Sequence, residues 1–250
     1  MKTRNALSKR WTQYTDMIEP DKPGLSGQQM GEVQDMNISK VFGGNREGAR
    51  PISSNRHKKL RYIHQDLETR LGQGTADQIM KASDTKYLEL QKQYSDLPPA
   101  VKQHTDLIFM NAALYLCICD HIPKEDAYRI MEDATVKYAM PIGKLLDKAT
   151  RLPGMPRLFM RVFRKMLLTS FNEDAGFALT CHEMTSEAIS IDITACPYQK
   201  YFTAAGCPEL CKIACLSDDA CYGHMKHVEF KRAKTLGRGG ECCDFRLRVK

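Results

Sequence analysis

AISIDITAC, residues 188–196, places isoleucine at 189, 191 and 193 with a small or polar residue between each pair. Successive side chains on a strand point to opposite sides, so this alternation marks a β-strand with one buried face. Working outward, residues 177–181 read as a preceding strand. Residues 197–205 and 208–222 read as two helices separated by Gly206, with Pro208 suited to a first helical turn. Residues 227–236 and 242–249 read as two further strands around the loop Gly237-Arg238-Gly239-Gly240. Two strands, two helices and two strands fit an α+β module: a four-stranded antiparallel sheet with helices on one face.

Upstream of this module the apolar spacing changes from two to three and four. Leu60, Ile63, Leu67 and Leu71 form one helical face, with Ser53 and Ser54 as caps and Gly72 and Gly74 as the stop. A second helix is expected over 76–94, and a third, apolar on most sides and hence central, over 101–122. Residues 124–149 continue as helix with a kink at Pro141 and Gly143, and 156–171 form a basic amphipathic helix. Residues 1–52, rich in Gly, Gln, Asn and Asp without apolar periodicity, read as a poorly ordered basic leader. The expected division is thus leader 1–52, helical region 53–172 and cysteine-rich α+β module 173–250.

The net charge of +7 is concentrated in the leader: residues 1–60 hold eleven Lys or Arg against six Asp or Glu. The body is close to neutral and carries no basic stripe interleaved with aromatics, which argues against a nucleic-acid partner. No apolar run approaches the roughly 18 residues of a membrane span, and an apolar signal core does not follow the basic start. A soluble cytoplasmic protein is expected, acting on a small molecule, with homo-oligomerisation left open. Eight of the ten cysteines lie in the last seventy residues, at 181, 196, 207, 211, 215, 221, 242 and 243. Their irregular spacing in a chain of this size argues against a secreted disulfide framework.

Three readings of these thiols stand side by side, in falling order of prior: buried packing, a soft metal site, and a thiolate nucleophile. If a metal such as zinc is held, three thiolates with His182 or His224 would complete a tetrahedron. The C-x3-C pairs Cys207/Cys211 and Cys211/Cys215 share a helix face but lack the paired C-x2-C hooks of a zinc module. His227 is read as an ordinary surface or core imidazole. Tyr198, Tyr201 and Phe202 are read as packing the helix onto the sheet.

CPYQKYF at 196–202, GCPELC at 206–211, Cys215 with Asp218, and FKRAKTLGRGGECCDFR at 230–246 together resemble the C-terminal signature of the L-2-amino-thiazoline-4-carboxylic acid hydrolase family. The resemblance covers about the last seventy-five residues. It implies a hydrolase that opens the ring of a small cyclic amidine thioether, giving an N-carbamoyl amino acid, and it singles out Cys196, Cys215 and Cys243. Cys207, Cys211, Cys221 and Cys242 stand outside the match. Ring opening needs an activated nucleophile, a stabiliser of the tetrahedral state and a cation for the substrate carboxylate. The candidates are Asp244 and Asp218 as bases, Arg232 as a two-pronged carboxylate donor, and the amides about Gly239 and Gly240 as an anion pocket. The rival is a non-catalytic sensor, in which the same cysteine-rich sheet binds a small molecule or a metal and signals through the helices.

Overall fold

A computed structural model of the chain describes residues 51–54 and 57–250, so the expectation for a leader lies almost wholly outside the described residues. After a 3-10 turn at Ile52–Ser54, five helices follow: α1 Lys58–Leu71, α2 Gln73–Gln93, α3 Pro99–Cys119, α4 Lys124–Ala149 and α5 Met155–Ser170. Then come β1 Ala178–Met184, β2 Ala188–Ala195, α6 Pro197–Ala204, α7 Leu210–Tyr222, β3 Val228–Lys231 and β4 Cys243–Val249. The expected α+β architecture, helices first and a four-stranded antiparallel sheet after, is what the chain forms.

Leu60, Ile63 and Leu67 are the buried face of α1, as their spacing requires. Its cap is not a serine. The ring of His57 accepts from the Lys59 amide, while Ser53 binds Asp84 of α2 through both its amide and its hydroxyl. Gly72 closes α1 at φ 82°, a left-handed dihedral that favours glycine, and opens α2 at the same residue. The apolar α3 is the axis of the bundle, with Ile108, Ala112, Ala113, Leu114 and Ile118 fully buried. Through α4 the chain stays helical across Pro141. Gly143 is where this helix meets α7: a Cβ there would lie 2.4 Å from the Ala220 carbonyl oxygen.

The sheet runs β1-β2-β4-β3, every neighbour antiparallel. Ile189 and Ile191 of β2, and Phe245 and Leu247 of β4, face α5, whose Phe159, Met160, Phe163, Met166 and Leu167 cover them. Phe163 stacks on Phe245 with ring centroids 5.5 Å apart. The opposite face carries Ser190, Asp192, Asp244, Arg246 and Arg248 and stays open. The strand expected over 227–236 is shorter, because after Lys231 the chain turns Arg232 into the protein and enters a 3-10 turn at Leu236–Arg238. Conversely β1 runs three residues further than expected, to Met184.

Two apolar cores result. One gathers α1–α4 with Tyr201, Phe202, Leu210, Cys211, Ile213 and Cys215 of the later helices. The second gathers Leu146 and α5 with the sheet and Met225. At its start α7 belongs to the first core, and its last residue, Tyr222, packs on the second.

Candidate active site

On α7, Cys211, Cys215, Asp218 and Tyr222 recur at steps of four, three and four, which places them on one helix face. The segment from Arg232 to Cys243 lies along this face. Gly237 makes the approach possible, since a Cβ there would lie 3.0 Å from the Cys211 sulfur. Cys243, the first residue of β4, points inward and is buried, and its sulfur accepts the Leu236 amide at 3.3 Å. Cys196 precedes α6 in extended conformation, its sulfur turned toward the amides of Tyr198 and Gln199.

Four sulfurs therefore share one neighbourhood. The thiols of Cys211 and Cys243 both donate toward Cys215, and that pair of donors lowers the Cys215 pKa far below a free thiol against the opposing effect of burial; the Arg232 charge adds to it. Cys211 and Cys243 are raised because each is the proton donor to Cys215 and each is buried. Burial pushes the Cys196 thiol up to about 11, opposed by the two α6 amides. Cys215 is thus the thiol of the group whose surroundings favour loss of its proton. The Thr235 hydroxyl is sealed in without a partner at hydrogen-bond geometry, and it stands close enough to the Cys215 sulfur to favour the anion.

Arg232 anchors the assembly. Its side chain is only 3% exposed and donates to Asp218 Oδ2 at 2.9 Å, to Asp219 Oδ1 at 2.6 Å and to the Cys215 carbonyl at 2.7 Å. Its guanidinium also lies over the rings of Phe230 and Phe245, 5.4 and 6.0 Å from their centroids. Asp218 is different. Protein surrounds its carboxyl closely enough that burial raises its pKa to about 6 despite Arg232, yet the side chain keeps 39% of its surface open to solvent. It is the part of the cluster that meets solvent.

Among the residues singled out in the sequence, Cys196, Cys215, Cys243, Asp218 and Arg232 come together, and Cys211 joins them. Three of the bonds that Arg232 donates go to groups inside the protein, which makes it an anchor of the site. Asp244 lies elsewhere: one residue after inward-facing Cys243, strand alternation puts it on the open face, where it accepts the Lys234 amide at 2.6 Å. The anion pocket expected of Gly239 and Gly240 does not form, because their amides donate to the carbonyls of Leu236 and Thr235. His182 is also on the open face, 2.8 Å from Asp192 Oδ2, and His224 and His227 are exposed. The set Cys196, Cys215, Cys243 and His182 is therefore not assembled. Among the described residues no three His, Cys, Asp or Glu are grouped to hold a metal ion.

Sequence reasoning missed Cys211, although its C-x3-C spacing to Cys215 was visible. It also missed His104 of α3, which sits behind Tyr198, and Thr235. A hollow of about 350 Å³ lies on the open sheet face between His182, Glu183, Glu229, Lys231, Arg246 and Arg248. Its charges pair with one another, as in Arg248 with Glu183 and Lys231 with Glu229, which is the character of a solvated face, and none of the sulfurs reaches it.

The family model described as L-2-amino-thiazoline-4-carboxylic acid hydrolase matches residues 102–247, more than half of the chain, from α3 to the end of the sheet. No curated protein and no solved structure matches. Among the described residues no helix is long and apolar enough to cross a membrane.

Proposed function

Because this chain belongs to the L-2-amino-thiazoline-4-carboxylic acid hydrolase family, we propose that it opens a small cyclic amidine, thiazoline-carboxylate-like or cyclic amide substrate at the cluster of Cys215 and Asp218. One observation carries this reading: buried Cys215, with the Cys211 and Cys243 thiols beside it and Arg232 bonded to its carbonyl, lies one helical turn from Asp218, in surroundings that lower the pKa of the thiol and raise that of the carboxyl. A thiol that ionises readily and a carboxyl group that keeps its proton above the ordinary carboxylate range are the two groups that ring opening needs.

For an amino-thiazoline the steps balance as follows. The Cys215 sulfur bonds to the ring carbon between the two nitrogens, the ring carbon-sulfur bond breaks, and the departing sulfur takes the proton of Asp218. Water then adds to the carbon-nitrogen double bond of the enzyme-bound amidine, one proton going to that nitrogen. As the carbonyl forms, the second water proton returns to Asp218 and Cys215 leaves as thiolate. Cys196, at the amino end of α6, and Cys243 flank the reacting sulfur.

Release of free thiol from 2-amino-thiazoline-4-carboxylate, with a mass increase on Cys215 in rapidly quenched samples, is the expected result. Full turnover by Cys215→Ala would exclude the covalent route. Tight binding of the compound with no product would favour the sensor reading.

A further inference from the structure

His104 is a buried histidine that the steps above do not use. Its Nε2 lies 2.6 Å from the carbonyl oxygen of Ser170, at the end of α5, and a carbonyl can only accept. The proton is therefore on Nε2, and in the neutral ring Nδ1 carries a lone pair. Burial lowers the His104 pKa, in keeping with a neutral imidazole. The ring is held edge-on by Phe171 and Phe177, each 5.1 Å away between centroids, and by Tyr198 at 5.9 Å. The Tyr198 hydroxyl lies 3.5 Å from Nδ1.

Tyr198 is on α6, two residues beyond Cys196, and its hydroxyl is within electrostatic reach of Cys196, Asp218 and Cys211. A phenol has one proton. If that proton is turned to His104, the oxygen keeps only lone pairs for the Cys196 and Asp218 side, which makes it an acceptor for the N–H of a ligand bound there.

We propose that Tyr198 is a substrate-positioning residue whose oxygen accepts an N–H of the bound ring, and that His104, fixed by Ser170, is the positioning residue that locks it in this sense. This rests on the hydrolase reading for its substrate but not for its geometry. The pair selects ligands with an N–H pointed at α6, and a ring alkylated on that nitrogen is refused.

Two measurements on the full chain test it. In ¹⁵N-histidine spectra of the free protein, His104 should show a protonated Nε2 and an unprotonated, hydrogen-bonded Nδ1. Tyr198→Phe should move the Nδ1 resonance and leave Nε2 in place. The opposite tautomer, or an Nδ1 indifferent to Tyr198→Phe, overturns the lock whatever the enzyme does. With 2-amino-thiazoline-4-carboxylate, Tyr198→Phe and His104→Leu should raise KM about tenfold with kcat changed less than threefold, and His104→Gln, whose side-chain oxygen can accept the phenol proton, should recover most of the loss. If wild type binds without turnover, Kd from calorimetry replaces KM with the same expected ratios. A kcat loss with KM unchanged, or no binding of the compound to wild type, counts against the proposal. Should His104→Leu fail to fold, Tyr198→Phe and the spectra still decide.

Discussion

Two arginines each hold carboxylates beside β4, one on either face of the sheet. Arg232 is 3% exposed, gripped by Asp218, Asp219 and a carbonyl, with two aromatic rings beneath it. Arg246 is 35% exposed and, with His182, pairs to Asp192 across the open strands. The chemistry of the partners is the same and the consequence is not. Solvent screens the outer cluster and can replace any member, whereas a buried charge deprived of its partner has nowhere to turn. The proposed site falls on the side where solvent cannot take a partner's place.

The sharpest way to break this contrast is Arg232→Met. Leaving Asp218 without its cation and Asp219 with only Arg238 is expected to cost about 3 kcal/mol of stability, measured by urea denaturation. A loss below about 1 kcal/mol would place it with the surface pairs. Next is Gly237→Ala. A methyl group 3.0 Å from the Cys211 sulfur forces the segment off α7 and should cost about 1–3 kcal/mol, with a matching loss of thiolate at Cys215 seen in its alkylation rate at pH 6. On the open face Arg246→Ala should cost no more than about 1 kcal/mol, and less as salt is raised.

Asp218 separates the two faces by pH. Its folded pKa is raised from 3.8 to about 6, so between those values the folded chain holds a proton that the unfolded chain has lost. Its contribution to stability is thus full below pH 4 and declines as pH rises through about 6. Ring opening, which needs the proton, should fall off over the same upper limb. Asp218→Asn should remove that limb from both profiles. Asp192 behaves oppositely: hydrogen bonds from Arg246 and His182 hold its pKa below the ordinary carboxylate range, so its small contribution is present above pH 4 and lost on acidification.

The order of elements was legible because period two and period three-to-four are local properties. AISIDITA announced the sheet, and Leu60, Ile63 and Leu67 announced α1. What failed were features set by distant partners. Thr235 and Arg232 leave the expected strand because α7 offers Arg232 two carboxylates, which nothing near residue 232 in the sequence foretells. Asp244 follows Cys243 directly and looked like its companion, yet once Cys243 faces inward the alternation of a strand sends its neighbour to the other side. His104 lies on an apolar helix ninety-four residues from Tyr198, and no spacing rule connects them. The i, i+4 relation of Cys211 to Cys215 is visible in the sequence, but neither residue alone says which thiol gives up its proton.

Helix α7 begins in one apolar core and ends on the other, and the four sulfurs lie along that seam. A chain that has condensed only its bundle, or only its sheet, lacks one of the two thiols that flank Cys215, since Cys211 comes from the helix and Cys243 from the last strand.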